Sequence, residues 1–294
     1  MGVASMSLIF EKIPLSLGAV VQGVTLAGLD NETTFEQIRR GMDQYAVLVF
    51  RDQVMSAAQQ MEFARRLDGE LHTMTTLNVM ADPRSQASGI TEISNASGQG
   101  GVLAVDDRRR MSALGNRLWH TDASFVDPAG RYSMLSAKVV PPVDADTEFA
   151  DMRAAYDTLD DDLKRRIERL RVHHSIVYSR GLLGFEFTPE ERAKLSGAVH
   201  PLVRAIPRSG RKSLYLASHA SHIVDMPVAE GRLLLAQLTE HATQKPFLYS
   251  HAWRPNDFVI WDNRATMHRA QVFDDQRFAR ELRRTTTLDL PMAP

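Results

Sequence analysis

The stretch Trp119-His120-Thr121-Asp122 sets an imidazole and a carboxylate two residues apart. On extended backbone successive side chains point to opposite faces, so His120 and Asp122 project from the same one. A third donor, His268, lies far downstream in Trp261-Asp262-Asn263-Arg264-Ala265-Thr266-Met267-His268, just after the strand-like Asp257-Phe258-Val259-Ile260-Trp261. Two histidines and one carboxylate on one side of a metal, with the remaining positions open, suit non-haem Fe(II) and its oxygenase chemistry. The open positions are where a co-substrate and dioxygen would bind. Beyond His268, Arg280 and Arg284 are four residues apart, so on a strand they share a face. Arg283 faces away in that register and takes the place of Arg284 only if the register slips.

The elements that must carry these residues are mostly short strands. Ala46-Val47-Leu48-Val49-Phe50 is a continuous apolar run, as expected of a buried strand. Strands are also predicted at Leu17–Val24, Ser133–Val140, Val172–Tyr178, Phe247–Trp253, Asp257–Trp261 and Arg283–Leu288, with Ile93-Ser94-Asn95 as a possible short one. Pro201–Arg204 and Lys212–Leu216 flank Arg208-Ser209-Gly210-Arg211 as a hairpin. Helices are predicted over Thr33–Tyr45, capped by Asn31 or Thr33, and over Ala57–Leu67, within Met152–Leu170, and over Val228–Gln244. Asp160, Asp161 and Asp162 suit a helix start inside the third of these. The long polar stretch from about 73 to 115 carries little pattern and reads as a lid or loop. Its run Asp106-Asp107-Arg108-Arg109-Arg110 reads as solvated surface. The fold class expected is mainly β with flanking helices, built on a double-stranded β-helix (jelly roll) core, as a single domain over residues 1–294.

Composition removes several alternatives. With 35 basic and 36 acidic residues the net charge is −1, which offers no global field toward nucleic acid or an anionic membrane. No apolar run approaches the ~18 residues of a membrane span. The N-terminus lacks the layout of a signal peptide, so a cytoplasmic location is expected. There is no cysteine, which excludes disulfides, thiolate nucleophiles and zinc–thiolate sites. Neither a Gly-X-Ser-X-Gly elbow nor a phosphate loop is present. His219 and His222 could pass for a metal pair, but neither has a carboxylate at strand spacing, so a structural or surface role is assigned to both.

With these residues in view, the chain resembles the Fe(II)/2-oxoglutarate-dependent taurine / 2,4-dichlorophenoxyacetate dioxygenase family, and within it the aryloxyacetate branch. The likeness is carried by Arg131–Ala137, Asp146–Asp157, Pro227–Arg232 and Arg280–Leu288, beside the His-X-Asp and His268 segments. It implies a metal site of His120, Asp122 and His268, with Fe(II), 2-oxoglutarate and O2 as reactants. It places Arg280 and the Thr147 hydroxyl on the distal carboxylate of 2-oxoglutarate and Arg284 on the substrate's anionic group. Asn116 would line the substrate pocket. His72 would reach the substrate anion, with Met74 competing for that slot. A carboxylate at Asp122 implies hydroxylation over halogenation. The substrate implied is a small, aromatic anion such as an aryloxyalkanoate, the alternative being a taurine-like alkyl sulfonate or an alkyl sulfate. A homo-oligomer is expected, with no nucleic-acid or membrane partner. Two departures from the family pattern stand out. Leu67-Asp68-Gly69 replaces a Phe-Gly, which implies a shifted turn. Asp144-Ala145 replaces two glycines, which implies a different or strained turn, since alanine fits poorly where φ is positive.

Overall fold

A computed structural model describes residues 7–13, 17–73, 89–98 and 100–290. Two sheets lie face to face. The larger has seven strands in the order Ile9–Lys12, Ala19–Gln22, Val47–Phe50, Phe258–Asp262, Gly130–Val139, Glu281–Leu288 and Thr91–Ser94. All neighbours are antiparallel except Ala19–Gln22 with Val47–Phe50. Opposite it stand Leu248–His251, Thr147–Asp151 and Thr266–Ala270, with Thr147–Asp151 in the middle.

Period-two alternation explains the layering. Val47, Val49, Val259, Trp261 and Leu135 face the second sheet and meet Phe149 and Tyr249. Leu48, Phe50, Phe258, Ile260 and Met134 face outward onto the helices Glu32–Tyr45 and Ala57–Asp68, against Phe35, Ile38, Met42 and Phe63. On the far side Ala150 and Met267 pack under the helices Met152–Asp157 and Val228–Ala242. Because Met267 points out to those helices, its neighbour His268 points into the space between the sheets, against Trp261 and Phe149. The arrangement is the mainly β jelly-roll core with flanking helices.

The helix ends follow their sequence. Asn31 accepts a hydrogen bond from the Thr34 amide at 2.9 Å. Ser56 and Gln59 form a reciprocal capping box, which satisfies two amides left open at a helix start. The turn after the second helix is shifted as expected. The helix runs through Asp68 and ends on Gly69 at φ +87°, while Asp68 binds Arg131 at 2.6 Å and Thr287 at 2.7 Å. At Asp144-Ala145 neither residue has a positive φ, so the turn differs from a diglycine turn and the strained alternative is dropped.

Other expectations need correction. Val172–Tyr178 is not one strand. The strand Arg171–His174 stops where the Ser175 side chain caps a helix, Ile176–Gly181. Met152–Leu170 holds two helices, Met152–Asp157 and Asp161–Ile167, the second capped by Asp160. The polar stretch before residue 115 contains the edge strand Thr91–Ser94, which overlaps the short strand expected at Ile93-Ser94-Asn95, and an unexpected helix, Arg108–Ala113. Its arginine run is not plain solvated surface. Arg110 pairs with Asp275 at 3.0 Å on a largely buried side chain, and Arg108 sits over Phe185. Met74 lies outside the described residues.

Candidate metal and anion site

His120 and His268 are backbone partners of each other. Their amides and carbonyls exchange hydrogen bonds of 2.9 and 2.8 Å. The pair forms an isolated bridge that ties His120 to the strand Thr266–Ala270, and the two ring centroids lie 4.1 Å apart. The His120–Asp122 stretch is thus not a strand, since the chain turns at Ala123 with φ +53°. The carboxylate still comes to the imidazole side. Asp122 lies 3.8 Å from His120 Nε2 and 3.7 Å from His268 Nε2. The three donor atoms fall within 4.8 Å of one another and all three residues are buried; they are the one such group among the described residues.

The surroundings orient these donors. His120 Nδ1 lies 2.8 Å from the Leu118 carbonyl; that nitrogen carries the proton and Nε2 keeps its lone pair for a metal. Asp122 accepts a hydrogen bond from Ser133 Oγ at 2.8 Å. Its amide donates to Asn263 Oδ1, which also accepts from Trp261 Nε1, while Asn263 Nδ2 donates to Ser133 Oγ. Burial alone would raise the Asp122 carboxyl, but the Arg284 guanidinium, with the Ser133 hydroxyl donating to it, holds the group ionised well below the usual carboxylate range. Burial, in turn, keeps both imidazoles neutral, His268 further so because His120 is beside it. Two neutral nitrogens and one ionised oxygen are the protonation states that bind a divalent cation. The donor set and its environment therefore fit a ferrous ion.

A cavity opens on this cluster in two lobes that share His120, Asn116 and Arg284. In the first lobe Arg280 and Thr147 sit among Leu135, Trp261 and Leu282. Arg280 is 8% exposed. It donates to Thr147 Oγ1 at 3.2 Å, and Trp253 Nε1 donates to the same hydroxyl at 3.0 Å. Arg280 Nε has no partner. Among the described residues no carboxylate is within ion-pair reach of it, and burial lowers its guanidinium to about 10. A buried cation without a counter-ion is costly, so the lobe is built to receive an anion.

Arg284 also reaches the cavity, with Nη1 2.5 Å from Asp122 Oδ1. Arg283 points the other way, donating to Gln60 Oε1 at 2.9 Å and to the Met55 carbonyl at 2.7 Å. The alternation read from the even spacing is the one found. Asn116 lines both lobes. His72 is buried close enough to feel the charges of Arg284 and Asp122, but it lines neither lobe. Three residues of the site region escaped the sequence reading. Trp253 braces Thr147, Ser133 holds Asp122, and Arg180 lines the second lobe with His219. The Trp-Asp-Asn pattern around Asn263 was the available signal for the Ser133 network; nothing local marked Arg180.

A jelly roll holding two histidines and a carboxylate at the mouth of an arginine-lined cavity defines the class of mononuclear non-haem metal enzymes. Comparison with known proteins places the chain within it. Residues 10–286 match the family described as taurine catabolism dioxygenase TauD, TfdA family, and the chain belongs to that family of oxidoreductases. It is 45% identical to the alpha-ketoglutarate-dependent 2,4-dichlorophenoxyacetate dioxygenase of Cupriavidus pinatubonensis, over 97% of this chain and 99% of that one. It is 38% identical to the (S)-phenoxypropionate/alpha-ketoglutarate-dioxygenase of Sphingobium herbicidovorans, over 92% of each. The crystal structure of AAD-2 in complex with Mn(II) and N-oxalylglycine superposes with a TM-score of 0.91 at 44% identity, covering 96% of this chain and 98% of that one. A sulfate ester dioxygenase from Pseudomonas putida is more distant, at 30% identity over 92% of this chain and 86% of that one.

Proposed function

We propose that this dioxygenase hydroxylates the carbon next to the carboxylate of an aryloxyalkanoate or a similar aromatic carboxylate. Its reactants are ferrous iron, 2-oxoglutarate and dioxygen, and its products are succinate, CO2 and the hydroxylated acid. When the hydroxylated carbon carries an ether oxygen, the hemiacetal collapses to a phenol and an oxo-acid. The observation that carries the reading is Arg280, buried without a counter-ion beside the Thr147 hydroxyl, in the same cavity as the His120–Asp122–His268 cluster.

Iron bound by the three donors supplies the redox chemistry that couples decarboxylation to C–H oxidation. The chain's own residues do the positioning. Leu118 fixes the His120 tautomer, and Ser133 and Asn263 aim the Asp122 carboxylate. Arg280 with Thr147 holds the distal carboxylate of 2-oxoglutarate, a planar fork meeting a planar anion. Leu135, Trp261 and Leu282 keep water from that pair. Arg284 holds the substrate's anionic group so that the adjacent carbon faces the metal, with Asn116 lining the pocket, and correct orientation supplies much of the rate. We further propose a cytoplasmic, homo-oligomeric, single-domain enzyme. No helix among the described residues is long and apolar enough to cross a membrane.

The test is a side-by-side panel of phenoxyacetates, alkyl sulfates and taurine, following succinate and the second product. Phenol release dependent on 2-oxoglutarate is expected, and its loss in His120→Ala. Sulfate or sulfite release without phenol would reject the aromatic reading, and unchanged turnover in His120→Ala would reject the metal assignment.

A further inference from the structure

The second lobe contains a cation that the reading above does not use. Arg180 is 5% exposed, at the C-terminal end of the helix Ile176–Gly181. Its nearest polar partners are neutral and distant: Ser179 Oγ at 3.4 Å from Nη1 and Asn116 Oδ1 at 3.5 Å from Nη2. Its Nε has no partner. Among the described residues no carboxylate lies within ion-pair distance of it. Arg284, by contrast, has its charge answered by Asp122. Both guanidiniums line the same lobe, together with His120, Asp122, Phe125 and His219.

The seat of Arg180 is specific. The guanidinium lies flat against Gly115 in the turn before His120, and a Cβ at that position would overlap it. Gly115 has no positive φ, so its missing side chain serves the close approach and not the backbone. His219, whose Nδ1 lies 2.8 Å from Ser179 Oγ and whose ring packs edge-on to Phe125, closes the other side. A buried, unanswered guanidinium at a cavity wall costs stability unless an anion enters.

Resting on the proposed function, we propose that Arg180 is a second cation for the substrate's anionic group. With Arg284 it forms a two-guanidinium clamp on the side of the metal away from Arg280. The 2-oxoglutarate carboxylate and the substrate anion then occupy separate lobes, and the clamp selects acids over neutral aryl ethers of the same shape.

The test uses the Fe(II)–2-oxoglutarate holoenzyme under anaerobic conditions. Calorimetry measures equilibrium binding of phenoxyacetate, its neutral analogue 2-phenoxyethanol, and hexyl sulfate. Arg180→Gln should weaken phenoxyacetate binding by about 30-fold or more, since a buried charge pair loses one partner. Binding of 2-oxoglutarate should stay within about twofold, because that carboxylate sits on Arg280. The preference for phenoxyacetate over phenoxyethanol should shrink accordingly, and Arg180→Lys should restore part of it. Gly115→Ala, which displaces the guanidinium without removing it, should reproduce the loss and covers the case in which Arg180→Gln does not fold. Folded variants that bind phenoxyacetate as the wild type does would overturn the clamp, as would an equal loss of 2-oxoglutarate. If hexyl sulfate is the anion bound, and bound through Arg180, the aromatic substrate falls and the clamp stands. Wild-type binding of neither anion overturns both.

Discussion

At the scale of single residues the site rests on charges that the protein leaves unanswered and on donors that it holds still. Replacing Arg280 by Met removes the guanidinium that donates to the Thr147 hydroxyl. The KM for 2-oxoglutarate should rise by about 100-fold or more, with Arg280→Lys recovering only part because a point charge cannot replace the bidentate fork. Steady-state titration of 2-oxoglutarate checks this. Ser133→Ala leaves every metal donor in place but removes one of the two side chains that hold the Asp122 carboxylate, the other being Arg284, and loss of such an orienting contact costs roughly 10- to 100-fold in metal affinity. A competition titration of Fe(II) against a chelator reads it. His72 makes a different prediction. Burial, with Arg284 adding, pushes its imidazole down to about 4, so it is uncharged near neutrality and brings no positive charge to the site. Its ring resonances should show no titration between about pH 6 and 8, where an ordinary histidine would change charge; a midpoint inside that range would show the burial to be wrong.

At the scale of elements the strand Glu281–Leu288 does two jobs on its two faces. Arg283→Met should leave the KM for substrate nearly unchanged and lower stability by about 1–3 kcal/mol, because Gln60 and the Met55 carbonyl lose a buried donor. Arg284→Met should instead raise the substrate KM, and because it leaves the buried Asp122 carboxylate without its guanidinium it should also lower the melting temperature of the metal-free protein. This division was legible in advance because side chains on a strand alternate and four is an even spacing. Asp122 was legible from the His-X-Asp spacing even though the backbone turns at Ala123, since a turn as well as a strand brings the two side chains together. Arg180 was not legible. Val172–Tyr178 is rich in β-branched and aromatic residues and reads as a strand, and only the Ser175 cap, a contact between a side chain and one amide, converts its second half into the helix that aims Arg180 inward. The strand Thr266–Ala270 that carries His268 was missed as well, because three of its five residues, Thr266, His268 and Arg269, are polar; His268 is polar for the site, and function there overrides the apolar pattern.

At the scale of the whole molecule the two-sheet core was readable because its apolar alternation repeats over many strands, whereas the helix Arg108–Ala113 was hidden in polar sequence and the edge strand Thr91–Ser94 showed only through Ile93-Ser94-Asn95. The same packing makes the fold acid-sensitive. Burial depresses the imidazoles of His72, His174 and His219 below their ordinary value of 6.5. Between that value and the folded one, the unfolded chain binds more protons than the native chain, so stability rises with pH in this window. The contribution is complete above about 6.5 and is lost as the pH falls, at up to about 1.4 kcal/mol per pH unit for each histidine. Thermal melts should show the midpoint falling steadily from about pH 7 to 5; a flat profile would contradict the assignment. One last consequence belongs to the mutual backbone bridge of His120 and His268. Main-chain bonds, and not imidazole chemistry, set how far apart those two corners of the socket stand. Exchanging the donor at position 268 for glutamate would therefore change which ions the socket prefers while leaving its dimensions alone, and the scaffold becomes a ready frame for refitting the enzyme to other metals.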